Sequence, residues 1–449
     1  MSVSLSVIAV LVAGLPPVDP PPSPEFDASV NYVSWLRGQV AFAADNNAVE
    51  PLADLLYKTG DANAVTPADD LLDAAPSGVS TMMTTVLREP IPWPPTKYDL
   101  LSDWVLKMTP KWLPAFQAAA KKPHFALRID PTWNSLRDMT SGNLANGAQM
   151  GRTLLAGAWR ISGHVTYAGD FEAALYANFT LTDRYAQSLS PDAQLLAAGH
   201  RDFLYEQLRY ACPNRLIRLP NWRRIAAFFE HADSEPITAC YARALYFEEA
   251  RAYEDLQRLF KANSDGDGFT FDADAWTALA KEDMRLARLP TQAYGHLTQS
   301  DPKVLAESIR VHYDAYRSLL ESGDGRELER ELTNIDENSI GSFPALRAFA
   351  MSHGLGVKNA FRQEARRRAV HMYIKALVKY YETRKWPESF DELSGDDVAT
   401  CRIDPFTGED LRTRIVRKAM LIYSVGQDGK DDQASEYNDV VFVTRPSKR

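Results

Sequence analysis

The 449-residue chain is 45% hydrophobic and 24% charged, with a formal net charge of −9. That balance suits a soluble globular protein of two or three domains. Acidity spread along most of the chain argues against a nucleic-acid binder, which usually presents a basic face.

At the N-terminus, Val3 to Leu15 is an apolar run with the length of a secretory signal's central region, and the small residues Ala13 and Gly14 offer a loose cleavage site. No Lys or Arg precedes it. It is short of the roughly 20 residues that span a bilayer, and no other run is long enough. The expectation is an exported chain, periplasmic or cell-surface, with a stiff proline-rich spacer from Pro16 to Pro24. Residues 1–26 are set apart on that ground. Residues 27–145 mix short helical pieces with prolines, and Trp93, Trp104, Trp112 and Trp133 are expected in the core.

From 146 to 355 the pattern is helical. Leu154, Leu155, Ala158, Ile161 and Val165 recur at helical spacing. Gly169 suits a helix end and Asp170 the next cap; Ser190 before Pro191 marks another start. Further runs are expected near 222–231, 236–262, 273–286, 302–320 and 342–353. Hairpins with small contact residues suggest tetratricopeptide-style stacking, but no 34-residue consensus repeats. The expected body is a helical bundle or irregular helical-repeat array. Cys212 and Cys240 could bridge two of its helices in an oxidising compartment, or act with Cys401 as small buried apolar residues. No Cys-x-x-Cys pair exists, so a thiolate knuckle is not expected.

Within this body, Asn263, Asp265, Asp267, Gly268 and Asp274 fall at positions one, three, five, six and twelve of an EF-hand-like loop. Thr270 at position eight and Asp274 in place of glutamate weaken the match. The alternative is a glycine-rich turn whose aspartates cap the next helix.

After Phe361 comes a long helix with Ala365, Ala369, Met372, Ala376 and Tyr380 on one face and Arg368, Lys375, Lys379 and Glu382 on the other. Arg366, Arg367 and Arg368 read as a solvated face. Pro387 stops the helix, and three strand-like runs follow: "RTRIVRK", "MLIYSV" and "DVVFVT". The predicted fold is mainly α, closing from about 356 to 449 with a long helix and a three-stranded antiparallel sheet, an α+β unit.

The acidic stretch "YSVGQDGKDDQASEYNDVVF" gathers Asp428, Asp431, Asp432, Glu436 and Asp439 between the last two strands, with Gly426 and Gly429 allowing tight turns. Calcium takes six to eight oxygens from such groups. A divalent ion would remove their mutual repulsion; the alternative is a solvated acidic loop.

These C-terminal residues resemble a known family. The long helix, Trp386-Pro387, "DPFTGEDLR", "LIYSVGQDGKDD" and "NDVVF" look like the head domain of the major pseudopilin of type II secretion. The resemblance covers about a fifth of the chain. It implies a helix packed on a small sheet and calcium in the acidic loop. Asp428 and Asp439 match the family's acidic positions and Asn438 a polar one beside the second; Asp432 and Ser424 are additional candidates. The family's N-terminal methylated segment does not precede residue 361, and its glycine-x-tyrosine-proline turn is here Arg384-Lys385-Trp386-Pro387. The whole chain also resembles a group of large exported bacterial proteins with a helical body.

No His-Glu-x-x-His, Gly-x-Ser-x-Gly or phosphate loop occurs. His200 and His371, each alone on a helix, read as structural. The expected function is a non-enzymatic exported scaffold or binding protein whose partners are envelope or secretion-associated proteins. The alternatives are a hydrolase with a site assembled from distant residues and a helical-repeat module that binds peptides or proteins.

Overall fold

A computed structural model of the chain describes residues 18–26, 30–41, 44–56, 99–124, 133–138, 150–152, 154, 168–186, 188–211, 217, 219–232, 236–263, 268–341, 343–349, 353–435 and 439–443. The apolar run 3–15, Trp93, Cys212, Asp265, Asp267, Glu436 and Asn438 lie outside these residues.

The protein is mostly helical, with a C-terminal three-stranded antiparallel sheet that follows a long helix. In chain order the main helices are α1 (Tyr32–Gln39), α2 (Asp99–Ala120), α3 (Ala168–Ala186), α4 (Pro191–Ala211), α5 (Leu219–Ala232) and α6 (Ile237–Leu259). A short hairpin, β1 (Phe260–Ala262) and β2 (Phe269–Phe271), precedes α7 (Ala273–Glu282), α8 (Thr291–Thr298), α9 (Pro302–Ser322), α10 (Leu328–Asp336) and α11 (Gly354–Thr383). The sheet is β3 (Arg412–Val416), β4 (Ala419–Ser424) and β5 (Val440–Val443), in that spatial order. Among the described residues no helix is long and apolar enough to cross a membrane.

Local chemistry explains most boundaries. Asn31 caps α1, its side chain accepting from the Ser34 amide at 2.8 Å. Pro191 opens α4, as its missing N–H permits. Asp301 caps α9 and Gly323, in the left-handed region, ends it. Trp104 and Trp112 are buried, edge to face at 5.8 Å. The run expected as a helix near 342–353 contains a 3-10 turn at Pro344–Ala348 instead, and the long helix begins at Gly354, not at Phe361. The hairpin and helices α8 and α10 add to the elements expected from sequence.

Two hydrophobic cores meet along α11. Its first half, with Val357, Ala360, Phe361 and Ala365, packs into a core shared with α1, α6 and α9. Its second half, with Ala369, Met372, Tyr373 and Ala376, joins a core shared with α2 to α5 and with Met420 and Ile422 of β4. Val440 and Phe442 of β5 divide between the two. β4 is buried along its length and β3 is an exposed edge strand. The sheet therefore covers α11 from one side and the helical body from the other.

That enclosure corrects the expectation of a solvated face. Arg367, Arg368 and Lys375 are buried: Glu364 of the same helix pairs with both arginines, the Ile403 carbonyl accepts from Arg368, and Glu230 of α5 pairs with Lys375. Glu364 is 0% exposed. It accepts from Arg367 Nε at 2.9 Å, Arg368 Nε at 2.8 Å and the Ile237 amide at 3.0 Å, so one carboxylate pairs with two guanidiniums and caps α6.

The helix ends where Arg384 adopts a left-handed conformation, with φ 62° and ψ 17°. This is the position where the resembled family has glycine. A Cβ there costs about 1 kcal/mol or more. Arg384→Gly is expected to raise unfolding stability by about 1 kcal/mol, read as a higher denaturant midpoint at unchanged slope. No gain would mean that Arg384 makes a compensating contact.

Candidate functional site

Two sequence motifs meet at one buried carboxylate. Asp404 opens "DPFTG", and its side chain accepts from the Phe406 amide at 2.9 Å, the Ser424 hydroxyl at 2.9 Å and the Val425 amide at 3.1 Å. The Ser424 hydroxyl in turn accepts from the Gly426 amide at 3.0 Å. Burial pushes the Asp404 carboxyl up; these donors and nearby Arg368 oppose that shift. Ser424, a sequence candidate for cation binding, is thus fully buried and directed at Asp404, not at the acidic loop. The residues of "DPFTG" and "YSVG" lock a turn to the end of β4.

The acidic loop lies beyond that lock. Gly426 and Gly429 have φ of 75° and 66°, which glycine adopts freely. Asp428 accepts from the Lys430 amide at 3.1 Å, and Asp431 from the Gln433 amide at 2.8 Å and the Tyr423 hydroxyl at 3.0 Å. Asp428, Asp431 and Asp432 are exposed, whereas Asp439 is 2% exposed. Asp439 accepts from the Ser435 amide at 2.9 Å and the Asp432 amide at 3.4 Å, closing the loop on itself. Among the described residues these carboxylates do not bring three ligand atoms together.

The EF-hand-like stretch carries the hairpin at its entry and exit. Phe260 pairs with Phe271, Lys261 with Thr270 and Ala262 with Phe269. The Asn263 side chain accepts from the Thr270 hydroxyl at 2.5 Å. Asp272 caps α7 by accepting from the Asp274 and Ala275 amides, and it pairs with Lys261 at 2.5 Å. Asp274 is exposed on the first turn of α7.

The third constellation was not legible from any one motif. His371 and Lys375 of α11 face the turn that carries Asp397 and Cys401, with Glu230 of α5 closing the side. His371 Nδ1 lies 3.2 Å from Asp397 and 3.7 Å from Cys401 Sγ. Lys375 Nζ is 2.7 Å from the other Asp397 oxygen, 3.2 Å from Glu230 and 3.2 Å from the Ser394 carbonyl. The second Glu230 oxygen accepts from the Asp396 amide at 2.8 Å. Gly395, at φ 132°, makes room: a Cβ there would sit 2.1 Å from Lys375 Nζ and 3.0 Å from Glu230. Burial alone would push the Asp397 carboxyl up, but His371 and Lys375 bring it down to about 2.

Among the described residues, His371, Asp397 and Cys401 are the one group that brings three potential ligand atoms within 4.8 Å of each other. Cys401 and Asp397 approach the same ring nitrogen, so Asp397 does not orient the imidazole toward the thiol as a nucleophile–base–orienter chain requires. Cys401 is 2% exposed. By contrast, His200 fits its structural reading: it is buried, its Nε2 lies 3.1 Å from Asn178, and burial holds its pKa down at about 3.

No protein-family model, no curated protein and no solved structure matches the chain. The likeness to pseudopilins rests on the quoted residues. The available signal for the buried cluster was a pair of helical spacings, His371 with Lys375 and Asp397 with Cys401, each placing two side chains on one face.

Proposed function

We propose that this protein is a non-enzymatic exported scaffold or binding protein in which a pseudopilin-like C-terminal unit is built onto a helical body, with envelope or secretion-associated proteins as partners. The observation that carries the reading is how the charges of α11 are used. Glu364 caps α6, Arg366 pairs with Asp202 at 2.7 Å and Glu206 at 2.7 Å of α4, and Lys375 pairs with Glu230 of α5. Each of these three ties α11 to a neighbouring helix. Export is supported by the apolar run at residues 3–15 and the prolines after it.

Calcium belongs to this reading as a ligand of the acidic loop. What supports it is the charge of Asp428, Asp431 and Asp432, all exposed on one short loop with two left-handed glycines. Asp439 and Asn438 stand at its far end. Binding draws the loop's oxygens around the ion. Free calcium at a hundredfold its dissociation constant is expected to stabilise the full chain by about 2.7 kcal/mol, seen as a higher melting temperature than in chelator. Asp428→Ala with Asp432→Ala, both exposed positions, should remove the shift. A melt that does not move across millimolar calcium would exclude the loop as a calcium site.

A further inference from the structure

We propose that His371, Asp397 and Cys401 form a buried site for a zinc-class divalent cation that fastens the turn at 395–401 to α11. The donor set is one imidazole nitrogen, one carboxylate oxygen and one thiolate sulfur, the mixture that zinc accepts and that calcium and magnesium do not favour.

The spacing fits tetrahedral ligation. With zinc bonds of about 2.0 Å to nitrogen or oxygen and about 2.3 Å to sulfur, tetrahedral angles put nitrogen and oxygen about 3.3 Å apart and nitrogen and sulfur about 3.5 Å apart. The observed separations from His371 Nδ1 are 3.2 Å to Asp397 and 3.7 Å to Cys401. All three atoms lie within 4.8 Å of one another, close enough to share one ion.

Two carboxylates, Asp397 and Glu230, face the one ammonium of Lys375 beside the trio. A divalent cation that binds there releases the Cys401 thiol proton to solvent. Lys375 holds the Asp397 oxygen that faces away from His371, which leaves the other for the metal. Glu230 and the Ser394 carbonyl fix Lys375, as outer partners of metal ligands commonly do. The site shares no residue with the acidic loop, so it stands or falls independently of calcium.

The test uses the full chain, reduced, stripped with chelator and equilibrated with a small excess of zinc in a larger excess of calcium and magnesium, which compete for the acidic loop. About one zinc per chain is expected to remain after dialysis. Cobalt substituted for zinc should show a thiolate-to-metal charge-transfer band. Cys401→Ala should lose that band and weaken zinc binding about tenfold or more, while Cys212→Ala with Cys240→Ala keeps both. If Cys401→Ala does not fold, the cobalt spectrum of the Cys212→Ala, Cys240→Ala chain, whose one thiol is Cys401, decides. No zinc retained, no thiolate band, or a band that survives Cys401→Ala would show that the trio is held by a proton and hydrogen bonds alone, and would overturn the proposal.

Discussion

Replacing Glu364 with alanine is expected to destabilise the protein by about 3–5 kcal/mol, a large part of a typical unfolding free energy. The carboxylate has no exposure, and four donors from three residues converge on it: Nε and Nη2 of Arg367, Nε of Arg368 and the first amide of α6. Its removal leaves two guanidiniums in the core without their shared anion and an α6 without its cap. Glu364→Gln keeps the shape and loses the charge, so it should recover only part of the loss. The pH dependence has a definite sign. Burial would push this carboxyl up, but Arg367 and Arg368 hold it well below the usual carboxylate range. Its folded pKa is therefore below the unfolded value of about 4.3, and its contribution is complete above that pH. As pH falls below about 4, the unfolded state takes up the proton first. The stability gap between wild type and Glu364→Gln should then narrow. A gap that is constant from neutral to acid pH would mean that charge is not what Glu364 supplies.

The second large effect is expected at Asp404. Asp404→Ala strands the Phe406 and Val425 amides and the Ser424 hydroxyl, all in a buried place, and should cost about 3 kcal/mol. The damage should be local first. β4 holds the sheet together, pairing with β3 through Thr413–Ile422 and with β5 through Ile422–Phe442. Amide exchange in β4 and β5 should accelerate more than exchange in α6 or α9. Asp404→Asn tests the acceptor requirement, because an amide turns a donor toward at least one existing donor. If Asp404→Asn matched wild type, the three contacts would not depend on a carboxylate.

How much of this was visible in the sequence depended on whether the partner was local. The sheet was legible because "MLIYSV" is apolar but for Ser424 and its neighbours are bounded by turn residues; β4 proves buried along its length and β3 exposed. The start of α4 was legible in Ser190-Pro191. The nature of α11 was not. Glu364, Arg367 and Arg368 sit at i, i+3 and i+4, a spacing shared by solvated helices, and only the Ile237 amide and the Ile403 carbonyl make them interior. Both halves of the Asp404 lock were present as motifs, but nothing local indicated that Ser424 would turn toward "DPFTG" and away from the acidic loop. Helix α10 offered Leu328, Leu332 and Ile335 at helical spacing, masked by the charges between them. The His371 cluster needed the turn at 395–401 folded back on α11 before its ligand spacing existed at all.

The central claim is that α11 joins the C-terminal unit and the helical body into one cooperative structure through its buried ion pairs. Native-state hydrogen exchange on Glu364→Ala, followed together in α6 and β4, tests it most directly. Loss of protection by similar free energies on both sides of the helix is the predicted result. Faster exchange in α6 with β4 unchanged would mean that the two parts open separately, and would contradict it.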